Sequence, residues 1–172
     1  MKLGKILLVI IILGAAYFAL QQLGFLGSNL DKVRALDSKY GISEARLTPA
    51  TAEEAEQYYT ELRKINTTNS DEKNLIDLKA SLATMGKEML LFSEESANIN
   101  LDSPNCSPSG PVVFASGHAQ NALTFAKRAT ELQLKVKNVQ GFAHITGTDF
   151  SVTMSRVKAS MESSINTLND LC

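Results

Sequence analysis

The chain has 172 residues, enough for one ordinary domain and too few for two. Hydrophobic residues make up 44% and charged residues 20%, the proportions of a folded protein, not a disordered one. A formal net charge of -1 gives no reason to expect nucleic acid as a partner, and aromatics at 6% with no Trp supply a stacking platform poorly.

The opening stretch MKLGKILLVIIILGAAYFALQQLGFLGS carries Lys2 and Lys5 and no acid, which leaves 15 basic residues to face all 18 acidic ones. Its apolar run from Ile6 to Leu20 is about 22 Å long as a helix, and extension to Leu26 brings it to about 32 Å. That length crosses a hydrocarbon layer of roughly 30 Å. Residues 1–27 are therefore expected to form a signal-anchor helix, held in the lipid bilayer through residues 6–26. The alternative is signal cleavage near Ala16, where Gly14, Ala15 and Ala16 supply the small residues, followed by secretion. Apolar sequence past that point, at Tyr17, Phe18, Leu20, Leu23, Phe25 and Leu26, favours the anchor. Lys2 and Lys5 before the span set the N-terminus in the cytoplasm and the C-terminal domain outside it.

The remainder reads as helices. Ser28 or Asn29 caps a short one with Leu30, Val33 and Leu36 on one face, ending at Gly41. Residues 28–47 thus form a juxtamembrane helix and linker. Thr48 and Pro49 read as the start of the next helix, with Ala52, Ala55, Tyr59, Leu62 and Ile65 as its stripe. A long helix starts near Asn69 or Ser70, and Asp71 and Glu72 in its first turn suit the helix dipole. Its Leu75, Leu78, Leu82, Met85, Met89 and Phe92 recur at steps of three and four, a coiled-coil-like seam.

The loop LDSPNCSPSGP follows, and then a segment from about Val112 that repeats Ala115, Ala119, Ala122, Ala126 and Ala129. Alanine at this spacing lets a neighbouring helix approach closely. Residues 132–140 fit either helix or strand, and helix is preferred because a lone strand finds no partner in the chain. Thr148 caps a last helix in which Phe150, Met154, Val157, Met161, Ile165 or Ser164, Leu168 and Leu171 recur with helical spacing. The expected fold is all-α: the N-terminal helix, then an antiparallel up-and-down bundle of three to four helices over residues 48–172.

That topology carries Cys106 and Cys172 to the same end of the bundle. A disulfide between them would close a 66-residue separation and is worth roughly 4 kcal/mol. It persists only in an oxidising compartment, which agrees with an extracytoplasmic domain. Asn66 and Asn105 head sequons in expected loops and are possible glycosylation sites.

Other chemistry is sparse. His118 and His144 are expected at opposite ends of one helical segment, too far apart to share a metal. Ser116 and His118 lie two residues apart on different faces of a helix and lack the flanking nucleophile-elbow pattern. Glu94 and Glu95 sit where the helix dipole disfavours acid, as a solvated helix end. Met85, Met89, Met154 and Met161 occupy seam positions and read as core. The expectation is no catalytic residue, no cofactor and no metal, hence no enzyme. The expected function is a structural or protein-interaction role, through a protein partner or a homo-oligomer. The alternative is a ligand-sensing or small-molecule-binding bundle acting through a partner membrane protein.

Overall fold

The computed structural model describes residues 28–136, 139 and 141–172. The leader, with its span and its alternative cleavage point, lies outside the described residues. Among those residues all regular structure is helical, and no helix is long and apolar enough to cross a membrane. The helices are α1 (Asn29–Lys39), α2 (Ala52–Arg63), α3 (Ser70–Ala97), α4 (Pro111–Gln133), α5 (Ala143–Thr146) and α6 (Thr148–Asp170).

Local chemistry sets most of the boundaries. Ser28 caps α1: its hydroxyl accepts from the Asp31 N–H while the Asp31 carboxylate accepts from the Ser28 N–H. Gly41 ends that segment at φ +62°, a conformation costly for a side-chain-bearing residue. Arg46 then ties the turn down by donating to the carbonyls of Tyr40 and Gly41, each at 3.1 Å. Asn69 caps α3 by accepting from the N–H groups of Asp71 and Glu72. Pro111 occupies the first turn of α4, where its missing N–H costs nothing.

The packing places α4 between α3 and α6, and α2 packs on α3 as well. All five stripe alanines of α4 are fully buried. Two helices can lie against α4 because these small side chains keep the interaxial distance short. Three clusters follow the bundle axis. Leu75, Leu78 and Leu82 of α3 pack with Ala126, Ala129, Phe150 and Met154 at the end nearest residue 28. Met89 and Phe92 meet Ala119, Ala122 and Met161 midway. Val112, Ala115 and Leu168 close the far end. Each fully buried leucine contributes about 1.5–3 kcal/mol relative to exposure. The result is an antiparallel helical bundle in which α3 runs out, α4 back and α6 out again.

Several sequence expectations are corrected. The cap of α2 is Thr51, not Thr48: Thr51 has extended backbone and its hydroxyl accepts from the Glu54 N–H at 3.1 Å. Thr48 instead lies so close over Gly86 that a β-carbon there would stand 2.6 Å from the Thr48 β-carbon. On α2 the buried tyrosine is Tyr58, in register with Ala55 and Leu62, while Tyr59 turns outward. Gly147 caps α6, and Thr148 is its first helical residue. Helix α4 ends at Gln133, and the N–H groups of Lys135 and Val136 turn back to the Leu132 carbonyl. Of the doubtful stretch 132–140, Lys137, Asn138 and Gln140 lie outside the described residues, and the rest holds no strand. His118 and His144 therefore sit on separate elements, α4 and α5. Residues 28–47 do more than link, since Val33, Tyr40 and Ile42 join the main core.

Candidate functional site: a buried ion pair, a clasped cap and a cationic groove

At the end nearest residue 28, three helices meet around a polar cluster. Asp37 of α1 accepts from Tyr58 of α2 at 2.5 Å and pairs with the Lys79 ammonium of α3 at 2.7 Å. Lys79 is 2% exposed, and its charge also faces the Phe142 ring, 5.1 Å from the centroid. Burial pushes the Lys79 ammonium down, opposed by the Asp37 carboxylate beside it. The Tyr58 hydroxyl is pushed strongly up by burial and by Asp37, so it stays protonated and serves as a donor. Tyr58 stacks edge-on against Tyr40 at 5.4 Å. His144 lies beside this cluster with Nε2 buried and without a hydrogen-bond partner among the described residues. Burial and the Lys79 charge hold the His144 imidazole below its usual range. The cluster is sealed from solvent, so its chemistry is that of a fastener between helices.

The far end carries the cap. Cys106 and Cys172 form a disulfide with α-carbons 5.8 Å apart, which joins the α3–α4 loop to the C-terminus. The loop folds on itself: the Ser107 N–H donates to Asn105 Oδ1 at 3.1 Å, and Gly110 lies against the Asn105 carbonyl so closely that no β-carbon fits. Around this cap three large apolar side chains stand in solvent: Leu101 at 73%, Val113 at 42% and Phe114 at 48% exposure.

The third feature lies midway along the bundle. Helices α2 and α4 both pack on α3, and between them runs a groove of about 320 Å³. Tyr59 and Arg63 line it from α2, and Phe125 and Arg128 from α4. The floor is made by the buried Ala55, Ala80 and Ser81. The hydroxyls of Ser81 and Thr84 donate back to the carbonyls of Asp77 and Ala80. They therefore present only acceptor lone pairs to the groove. Lys87 pairs with Glu56 across the rim, and Arg63 pairs with Asp77 while stacking on the Tyr59 ring at 5.2 Å. Arg128 is exposed and has no acidic partner among the described residues.

The remaining sequence candidates fall as follows. Asn66 and Asn105 are both exposed in loops. Ser116 accepts from Gln120 at 3.3 Å, and His118 Nδ1 lies 2.8 Å from Glu88, so the two side chains do not meet. Glu94 is exposed in the last turns of α3. Met85, Met154 and Met161 are buried and Met89 packs against the same core. Among the described residues no group of three or more His, Cys, Asp or Glu is placed to hold a metal ion.

Sequence reasoning missed both the ion pair and the groove. One signal was available: Asp37 follows Val33 by four residues, and Lys79 lies between Leu75 and Leu82 on the seam, so both charges stood on apolar faces. The groove gave no such sign, because its residues come from three helices whose mutual order periodicity does not fix. Comparison of the chain with known protein families, with characterised proteins and with solved structures finds no match.

Proposed function

We propose that this protein is a membrane-anchored, extracytoplasmic helical bundle with a non-catalytic role in docking another protein. The observation that carries the placement is the Cys106–Cys172 disulfide at the end farthest from residue 28. Such a bond persists in an oxidising compartment, and the apolar leader supplies a route across the membrane. Docking is supported by Leu101, Val113 and Phe114, which stand exposed around the clasped cap. With the leader in the bilayer, this cap is the part of the bundle farthest along the fold from the anchor.

The test uses intact cells expressing the full chain and a membrane-impermeant thiol label. Labelling only after reduction is expected, because both cysteines are exposed once the bond opens. Labelling of both thiols without reductant would sink the external disulfide. A photo-crosslinking residue at Phe114 is expected to give a discrete protein adduct that the same residue at exposed Lys73 does not; equal adducts, or none, remove the docking role.

A second reading is favoured by one observation, the groove between α2, α3 and α4. It makes the bundle a small-molecule-binding module that acts through a partner membrane protein.

A further inference from the structure

The groove has a defined chemical character. Its three cations, Arg63, Lys87 and Arg128, face two carboxylates, Glu56 and Asp77, so one positive charge remains in excess. Arg63 and Lys87 are already paired, and Arg128 meets no acid among the described residues. The hydroxyls of Ser81 and Thr84 offer no donor to an anion, because their protons are spent on their own helix. The floor does have the methyl groups of Ala55 and Ala80. The open cation therefore stands at the rim, and the apolar surface lies inward. Tyr59 and Phe125 come from opposite walls and supply ring faces to that surface. A volume of about 320 Å³ is at the small end for ligand sites and suits a single-ring molecule.

We propose that this groove binds a small aromatic carboxylate, its acid group on the Arg128 guanidinium and its ring between Tyr59 and Phe125 over the alanine floor. An arginine guanidinium meets a carboxylate through two parallel N–H donors, which fixes the orientation as well as the affinity. The inference supplies ligand chemistry to the second reading above and is independent of membrane placement. Failure here leaves the thiol-labelling outcome untouched.

The experiment titrates the detergent-solubilised full chain with benzoate and follows amide chemical shifts and the thermal midpoint. Benzyl alcohol, benzylamine and inorganic phosphate serve as probes lacking the charge, reversing it and lacking the ring. Saturable shifts at residues of the groove with benzoate are expected, with weaker binding of all three controls. Arg128→Gln should weaken benzoate by about tenfold or more. Because Arg128 is exposed and meets no acid among the described residues, the same change should leave the ligand-free midpoint where it was. Tyr59→Ala should weaken benzoate without altering its preference over benzyl alcohol. No saturable shift with benzoate, equal binding of benzyl alcohol, tighter binding of phosphate, or full retention of affinity in Arg128→Gln would each overturn the proposal.

Discussion

Asp37 and Lys79 lie 42 residues apart in sequence and form a buried ion pair, Oδ2 to Nζ at 2.7 Å, that fastens the first described helix to the longest one. The pair is stabilised from both sides, by the Tyr58 hydroxyl on the carboxylate and the Phe142 ring under the ammonium. Removing one partner strands the other away from water. Lys79→Met is therefore expected to destabilise the protein by about 3–5 kcal/mol. Replacing both, with Asp37→Leu and Lys79→Met, should restore most of that loss, since the desolvation cost of both charges disappears together. Urea denaturation of the two variants decides the matter. A double variant as weak as the single one would mean that the charges themselves carry the stability.

The clasp at the other end acts on the unfolded chain. Its two cysteines are separated by 66 residues, and closing a loop of that size is worth about 4 kcal/mol on the chain-entropy account. Reduction, or Cys172→Ser, is expected to lower the thermal midpoint by on the order of 10 °C. The helical circular dichroism of the folded state should stay intact, because α4 and α6 keep their buried alanine and methionine contacts. Loss of that signal on reduction at room temperature would show that the bond is needed to hold the helices together.

The difference between what was legible and what was not follows from the range of the forces involved. Helix identity, the Ser28 and Asn69 caps, the alanine stripe and the meeting of Cys106 with Cys172 rest on spacing within a helix and on the alternation of short connections. Those are local or topological, and a single sequence carries them. The choice of Tyr58 over Tyr59 turned on which face of α2 meets α1, since only Tyr58 reaches Asp37. Thr48, the expected cap, is instead seated against Gly86, a contact between segments 38 residues apart. The groove depends on α2 and α4 flanking α3 without closing over it. Such relations belong to the packing of three helices and leave no period in the sequence. The leader is the reverse case: it is the plainest feature of the sequence, and it lies outside the described residues.

The alanine stripe of α4 gives a packing prediction. Ala122 is fully buried where Met161 of α6 and Met89 of α3 also gather. A larger side chain has no space unless one flanking helix moves outward. Ala122→Leu is expected to destabilise by about 1–3 kcal/mol despite its greater apolar surface. An unchanged or raised denaturation midpoint would show that α6 can shift away from α4 without loss. The methionines at this level would then be adaptable filler and not a fixed seam.

His144 contributes a pH dependence of defined sign near neutrality. Its imidazole is held below the ordinary value of 6.5 by burial and by the Lys79 charge, with Asp37 and Glu44 pulling the other way. Above that ordinary value the ring is neutral in both folded and unfolded chains, and its contribution to stability is fully present. As the pH falls below it, the unfolded chain takes up a proton that the folded site resists, so stability declines until the pH passes the folded value. The carboxylates held low by their partners, Asp31 by Ser28, Glu61 by Lys39 and Glu72 by Thr67, lose their contributions only at more acidic pH. Between about pH 7.5 and about pH 5, the thermal midpoint should therefore fall, and His144→Gln should reduce that fall. A midpoint that rises on acidification, or a His144→Gln variant with an undiminished slope, would mean that the proton is taken up elsewhere and that the buried Nε2 is not what resists it.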